Sequence, residues 1–259
     1  MTEFLSALTE AASLTELAIA CGTAALAGFI RGFIGFGGAL IVILVLSLLF
    51  GPQAAVAIAT LSGLPAMFQL LPAAIRSSER AFVLPFGLAT FAAAPLGAWV
   101  LVSADPALMK MAIAAFVLFM VAALHQGWSL GRGNNLASVV VAGGAAGLIQ
   151  GSAGIGGPPA VAAALSRPGP VERQRANLIG GITFLNLCAL VPFWLHGLFT
   201  AQVLAVALVI VPLYSGAIWL GTRYFARGGQ RHFRNAALLM LAVIGTATLA
   251  VAAQDYFAG

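Results

Sequence analysis

The sequence predicts an all-α polytopic membrane protein built from two inverted-topology repeats, each a Gly-broken helical hairpin plus three full spans. Three observations lead there. Of 259 residues, 61% are hydrophobic and 7% charged, where a soluble domain carries about 25% charged residues. The stretch AGFIRGFIGFGG at 27–38 returns as AGLIQGSAGIGG at 146–157, an offset of 119 residues. The basic residues fall in short loops between apolar runs, as the positive-inside rule places them.

Full-length spans are expected around 53–75, 81–103, 107–126, 171–195, 200–222 and 235–253. Each has the roughly 20 residues that cross a hydrocarbon core of about 30 Å. Lipid admits only helices or closed barrels, and the roughly 10-residue alternating segments of a barrel are not visible. The run 13–50 is too long for one crossing. The glycines at 35–38 divide it into a longer and a shorter arm, and those at 154–157, with Pro158 and Pro159, divide 135–166 likewise. The short arms, 39–50 and 158–166, read as half-helices.

The charges choose between two topologies. If each broken run crosses once, Arg76, Arg80 and Arg132 face Lys110, Arg167, Arg173, Arg175, Arg223, Arg227, Arg231 and Arg234, three against eight. If each run turns back at its glycines, ten of these stand on one side and Lys110 alone on the other. The second split obeys the positive-inside rule better. It makes the halves, 1–128 and 129–259, inverted repeats of a single integrated transmembrane domain, with both termini outside. A four-plus-four parallel repeat of eight spans is the alternative.

Other classes fit poorly. The net charge of +5 comes from loop arginines, so nucleic acid is not an expected partner. Cys21 and Cys188 lie in apolar segments and read as packing residues. Glu3, Glu10 and Glu16 stand where a signal peptide would be basic, so none is expected. No GxSxG and no GxxxxGK[ST] occurs, which argues against a hydrolase and an ATP-driven pump. His125, His196 and His232 lie near segment ends without ligand spacing, so no metal or other cofactor is expected. Trp99, Trp128, Trp194 and Trp219 fall near span ends, as an aromatic belt does.

A doubled glycine break at membrane depth points to a transport site. Each break frees N–H groups at the start of a half-helix, and these attract anions. The plainer reading is tight helix packing, but the clusters are dense and sit where the apolar run is too long. Arg31 is the basic residue inside an apolar segment, and Gln150 stands at its duplicate position. A charge there is costly and functional by default, unless it snorkels to the interface. Ser152 adds a hydroxyl. Thr60, Ser62, Gln69, Asn177, Thr183, Asn186, Gln202 and Tyr214 are further intramembrane polar groups, most of which serve helix contacts in proteins of this kind. Asn177 and Asn186 flank Gly180 and Gly181, which thin the helix and let a ligand approach. None of the seven acidic residues lies at the centre of a span, so a carboxylate proton relay or cation site is poorly supported.

The doubled motifs RGFIGFGG (31–38) and QGSAGIGGPP (150–159), with the later pair PLGAW (95–99) and SGAIW (215–219), resemble the TauE/SafE sulfite exporter family over essentially the whole chain. That resemblance implies a carrier for a small sulfur oxyanion: sulfite, thiosulfate or an organosulfonate. It maps the substrate site onto Gly35, Gly37, Gly38, Gly154, Gly156, Gly157 and Pro158, with Arg31 and Gln150 beside them. Ser152, Asn177 and Asn186 complete the candidate set. The expected function is export across the inner membrane by alternating access around a midplane site. A passive anion channel and a non-transporting membrane subunit are the alternatives. The expected partners are the anion and the bilayer; a homodimer stays open.

Overall fold

The computed structural model describes residues 12–105 and 135–226, with single positions at 115, 119, 239, 243, 246 and 250. The spans expected at 107–126 and 235–253 lie outside the described residues apart from those positions. Seven helices and no strand are found among the described residues: α1 (Leu14–Ile34), α2 (Gly38–Ser77), α3 (Arg80–Ser103), α4 (Leu136–Ala153), α5 (Gly157–Leu165), α6 (Val171–Leu195) and α7 (Ala201–Ala226). Six of them are long and apolar enough to cross a membrane. Phe68, Leu88, Leu96, Trp99, Trp194 and Leu208 stand exposed on the outer surface. So large an apolar exterior suits lipid and not water.

Local chemistry sets the helix ends. Ser13 and Glu16 form a capping box, the Glu16 amide donating to the Ser13 hydroxyl at 3.2 Å and the Ser13 amide to the Glu16 carboxylate at 2.8 Å. Glu16 is therefore the first-turn acid of α1. Asn135 caps α4 by accepting from the Ser138 amide at 2.9 Å. At the other ends α1 stops at Gly35 (φ 94°) and α4 at Gly154 (φ 70°), each closing back on the residue four before it, Arg31 and Gln150 respectively. Left-handed backbone is open to glycine at little cost, so the two breaks fall where the repeat predicts them.

After each break a half-helix follows. The second is α5, nine residues long, with Pro158 and Pro159 in its first turn. The first is the opening part of α2, which ends at Gly51 (φ 80°, ψ 162°) before Pro52 starts a full-length segment. The expected spans 53–75, 81–103, 171–195 and 200–222 correspond to this second part of α2 and to α3, α6 and α7.

Glycines bring the helices to backbone contact along two seams. On α1, a Cβ at Gly28 would collide with the Tyr214 carbonyl and one at Gly32 with the Ile218 carbonyl, while one at Gly221 would collide with the Phe29 carbonyl. On α4, Gly143, Gly147 and Gly151 meet Phe86, Thr90 and Ala94 of α3 in the same way, and Gly97 meets Leu148 and Ser152. Along both seams the residue numbers rise together, so α1 runs parallel to α7 and α4 parallel to α3. Gly63 lies against Asn186, and the Glu79 backbone N–H donates to the Asn177 side-chain Oδ1 at 2.7 Å, so α2 and α6 run antiparallel.

The seams correspond between the halves and correct one pairing. Gly221 contacts Phe29 and Phe33; Gly97 contacts Leu148 and Ser152, which follow Phe29 and Phe33 by the repeat offset of 119. Gly97 therefore corresponds to Gly221, and not to the Gly216 of SGAIW, which has open space around it. The shared LG at 96–97 and 220–221 carries the packing. Gly180 and Gly181 face Val83 and the Phe86 ring and so seat α3, while Gly180 also lines an apolar cavity of about 490 Å³ with Leu71, Val83, Thr183 and Leu187, apart from the two breaks.

The turn at 78–79 and the segment 166–170 meet at one end of the bundle. Arg167 donates to the Glu79 carboxylate from Nε at 2.8 Å and pairs with it through a second nitrogen. Its guanidinium lies 5.4 Å from the centre of the Phe82 ring, and the Gln174 amide donates to the Arg167 carbonyl at 2.9 Å.

Overpacking a backbone seam costs about 1–3 kcal/mol. Gly97→Val is expected to lower the thermal stability of the purified protein by that amount. Gly216→Ala, in open space, is expected to leave it unchanged or raise it slightly, since alanine is the better helix former. Thermal unfolding in detergent compares the two.

Candidate functional site

The two helix breaks face each other across one small cavity. Arg31, Phe36, Gly37, Ala39 and Leu40 line it from the first break, and Gln150, Gly154, Ile155 and Gly157 from the second. The middle of α6 closes it with Ile182, Leu185 and Asn186. Its volume is about 20 Å³, room for one water molecule and too little for a polyatomic anion. The site is therefore shut in this conformation.

Three polar side chains give the cavity its character. Arg31 is 4% exposed, and its Nε has no hydrogen-bond partner. Its guanidinium donates toward the Tyr214 hydroxyl, which is itself buried against Gly38. Among the described residues no carboxylate pairs with Arg31. Asn186 is also 4% exposed, with its Nδ2 unpartnered. Gln150 is 5% exposed, and its Oε1 accepts from the Gly156 amide at 3.0 Å. A buried cation without a carboxylate partner and a free amide donor thus border one cavity, a donor set of the kind that complements negative charge.

The rest of the candidate set divides. Gly37, Gly154 and Gly157 line the cavity, whereas Gly35, Gly38 and Gly156 shape it from behind. Gly38 brings the half-helix back against the Ala27 carbonyl, and Gly156 does the same against the Ala146 carbonyl. Ser152, Pro158 and Asn177 do not line it. The Ser152 hydroxyl turns back to the Ile149 carbonyl, its backbone nitrogen faces Gly97, and Pro158 is buried in the first turn of α5. Asn177 holds the 78–79 turn. Thr60, Ser62 and Thr183 each donate to a carbonyl of their own helix, and Gln69 reaches the Ser215 carbonyl at 3.3 Å, so these groups serve the helices.

Arg175 is the residue that counting loop charges hides. Its Nη2 donates to the Gly32 carbonyl at 3.0 Å, its guanidinium lies 4.2 Å over the Phe225 ring, and its side chain packs against Gly35. The Thr222 hydroxyl reaches the same carbonyl at 3.3 Å. Arg175 thus clamps the end of α1 just before the break, and its Nε is buried without a partner. The signal was its spacing with Ile179 and Ile182, which places it on the inward face of α6.

The breaks share contacts as well as shape. Gly35 sits on Arg175 and Ile179 of α6, and Gly154 on Ile43 and Val56 of α2. Val56 and Arg175 are 119 residues apart, as Gly35 and Gly154 are. The backbone agrees at the first glycine of each break, Gly35 and Gly154, and differs at the next, where Gly37 is left-handed (φ 89°) and its counterpart Gly156 is not (φ −63°). Charge differs too, since Arg31 and Arg175 have Gln150 and Val56 as counterparts.

Among known families, the model described as sulfite exporter TauE/SafE matches residues 20–248. No curated protein and no solved structure gives a match.

Replacing Arg175 by Met removes the clamp on Gly32 and the ring contact. This is expected to cost about 1–2 kcal/mol of stability. Arg175→Lys is expected to recover part of it, since an ammonium lacks the planar fork. Thermal unfolding of both variants tests the order.

Proposed function

Because the chain belongs to the sulfite exporter TauE/SafE family, and is thus a multi-pass membrane transporter and not an enzyme, we propose that it carries a small sulfur oxyanion, with sulfite first, by alternating access between two inverted repeats. The observation that carries this reading is the closed cavity between the two breaks. It is lined by an unpaired arginine and a free amide, with no carboxylate among its lining residues.

The helix directions support the inverted arrangement. With α1 and the full-length part of α2 pointing one way and α3 the other, their counterparts α4, α6 and α7 point in the reverse senses. The Arg167–Glu79 pair joins loops that a single-crossing topology would put on opposite sides. The arginine-rich end is then the cytoplasmic one, both termini lie outside, and the anion leaves across the inner membrane. An anion held in the cavity between the breaks would have Arg31 and Asn186 as donors, with the Gly157 N–H at the start of α5.

Two charge-assisted hydrogen bonds lost from a buried site weaken binding by about 100-fold or more. Arg31→Ala is expected to reduce sulfite efflux from proteoliposomes to background while the protein still folds. Unchanged efflux would remove Arg31 from the mechanism. Counterflow separates carrier from channel: internal sulfite accelerates uptake by a carrier and not by a channel. For topology, single cysteines at Arg76 and Gly169, in a background lacking Cys21 and Cys188, are expected to label from the cytoplasmic side. A cysteine at His196 is expected to label from the outside. Labelling of the first two from opposite sides would overturn the inverted arrangement.

A further inference from the structure

The second break is satisfied in a way the first has no means to copy. Gly156 is the N-cap of α5, where the helix dipole and the N–H groups of Gly156 and Gly157 favour an anion, Pro158 and Pro159 having none. In this structure the Gly156 N–H is held by the Gln150 side chain at 3.0 Å, with both groups buried. The partner being an N–H, the amide must present its oxygen. Gln150 lines the cavity between the breaks and Gly156 lies behind it; two further donors border that cavity, Arg31 Nε and Asn186 Nδ2, each unpartnered on a side chain that is 4% exposed.

We propose that Gln150 is a built-in surrogate for the transported anion: its amide oxygen occupies the Gly156 N–H while the carrier is empty, and an oxyanion displaces it. This rests on the transport reading above. An empty carrier without such an acceptor would leave a buried N–H unsatisfied whenever it returned for the next substrate, which is strongly unfavourable. A neutral amide oxygen meets that need yet yields to an anion, since hydrogen bonds to charged oxygens are roughly twice as strong. Swinging the Gln150 side chain out also frees space in a cavity of about 20 Å³. At the corresponding place in the first break stands Arg31, which has only donors. One break therefore carries the ligand's counter-charge and the other its stand-in.

Gln150→Leu keeps the approximate size and deletes the oxygen. In purified protein the Kd for sulfite is expected to fall about five- to tenfold, the worth of one neutral competitor. In proteoliposomes the ratio of sulfite exchange to net sulfite efflux is expected to rise about tenfold, because net efflux needs the empty carrier to return and exchange does not. Gln150→Glu places a carboxylate of the same shape on the N–H and is expected to raise the Kd at least tenfold. If wild type exchanges sulfite, while Gln150→Leu binds it more weakly or loses exchange and net efflux in step, the surrogate role is overturned. Tighter binding by Gln150→Glu overturns it too. A wild type that neither binds nor exchanges sulfite overturns the transport reading itself.

Discussion

A helix interrupted inside lipid exposes backbone groups that hydrocarbon cannot hydrogen-bond, so every break must be wrapped in protein. The architecture follows from that constraint. The break at Gly35 lies under Arg175 and Ile179, and the break at Gly154 under Ile43 and Val56. For helices to wrap so closely they must approach to backbone distance, which is what the glycine seams between α1 and α7 and between α4 and α3 provide. Helix association in membranes lacks a hydrophobic drive and relies on such close packing. The seams tie the first helix of each half to the third helix of the other, so the halves enclose one another's weak points.

The glycine repeat made both breaks legible, because the apolar runs were too long for one crossing and glycine marked where each divides. Length and composition alone placed the full spans at α3, α6, α7 and the second part of α2. The cavity's membership was half legible: Arg31, Gly37, Gln150, Gly154, Gly157 and Asn186 line it. Ser152 misled because proximity in sequence does not fix which face of a helix a side chain takes. Gly180 and Gly181 serve two ends, because a bare backbone invites a neighbouring helix as readily as a ligand: Val83 and Phe86 pack on them, and Gly180 also borders the apolar cavity beside α3. Arg175 looked like a loop cation because it opens a span, and only its three-dimensional partners, Gly32 and Phe225, mark it as buried structure. The PLGAW and SGAIW pairing slipped by one helical turn because aromatic residues are conspicuous in a string, whereas contact depends on the small residue.

The two breaks share glycines in contact with carbonyls, whereas their side chains differ. Shape is constrained at every glycine in contact with a carbonyl, so it resists change. Side chains at the breaks are free to specialise, and here the first half holds Arg31 while the second supplies amides. A site with a cation on each half would grip an anion more firmly and release it less readily; one with a cation and neutral donors suits a solute that must leave again.

Arg31 has an electrical consequence. A guanidinium stays protonated in a protein, and this one has no carboxylate partner among the described residues. In the carrier we propose, the empty site is therefore positively charged, and a site holding a monovalent anion is neutral. Moving one charge through the bilayer is worth about 2.3 kcal/mol per 100 mV. Membrane voltage then acts on the return of the unloaded protein and hardly at all on the loaded step. A cytoplasm-negative potential resists that return if the empty site must carry its charge outward, and assists it if the charge moves inward. In that carrier the energised state of the cell would set the tempo of the cycle through the same residue that holds the solute.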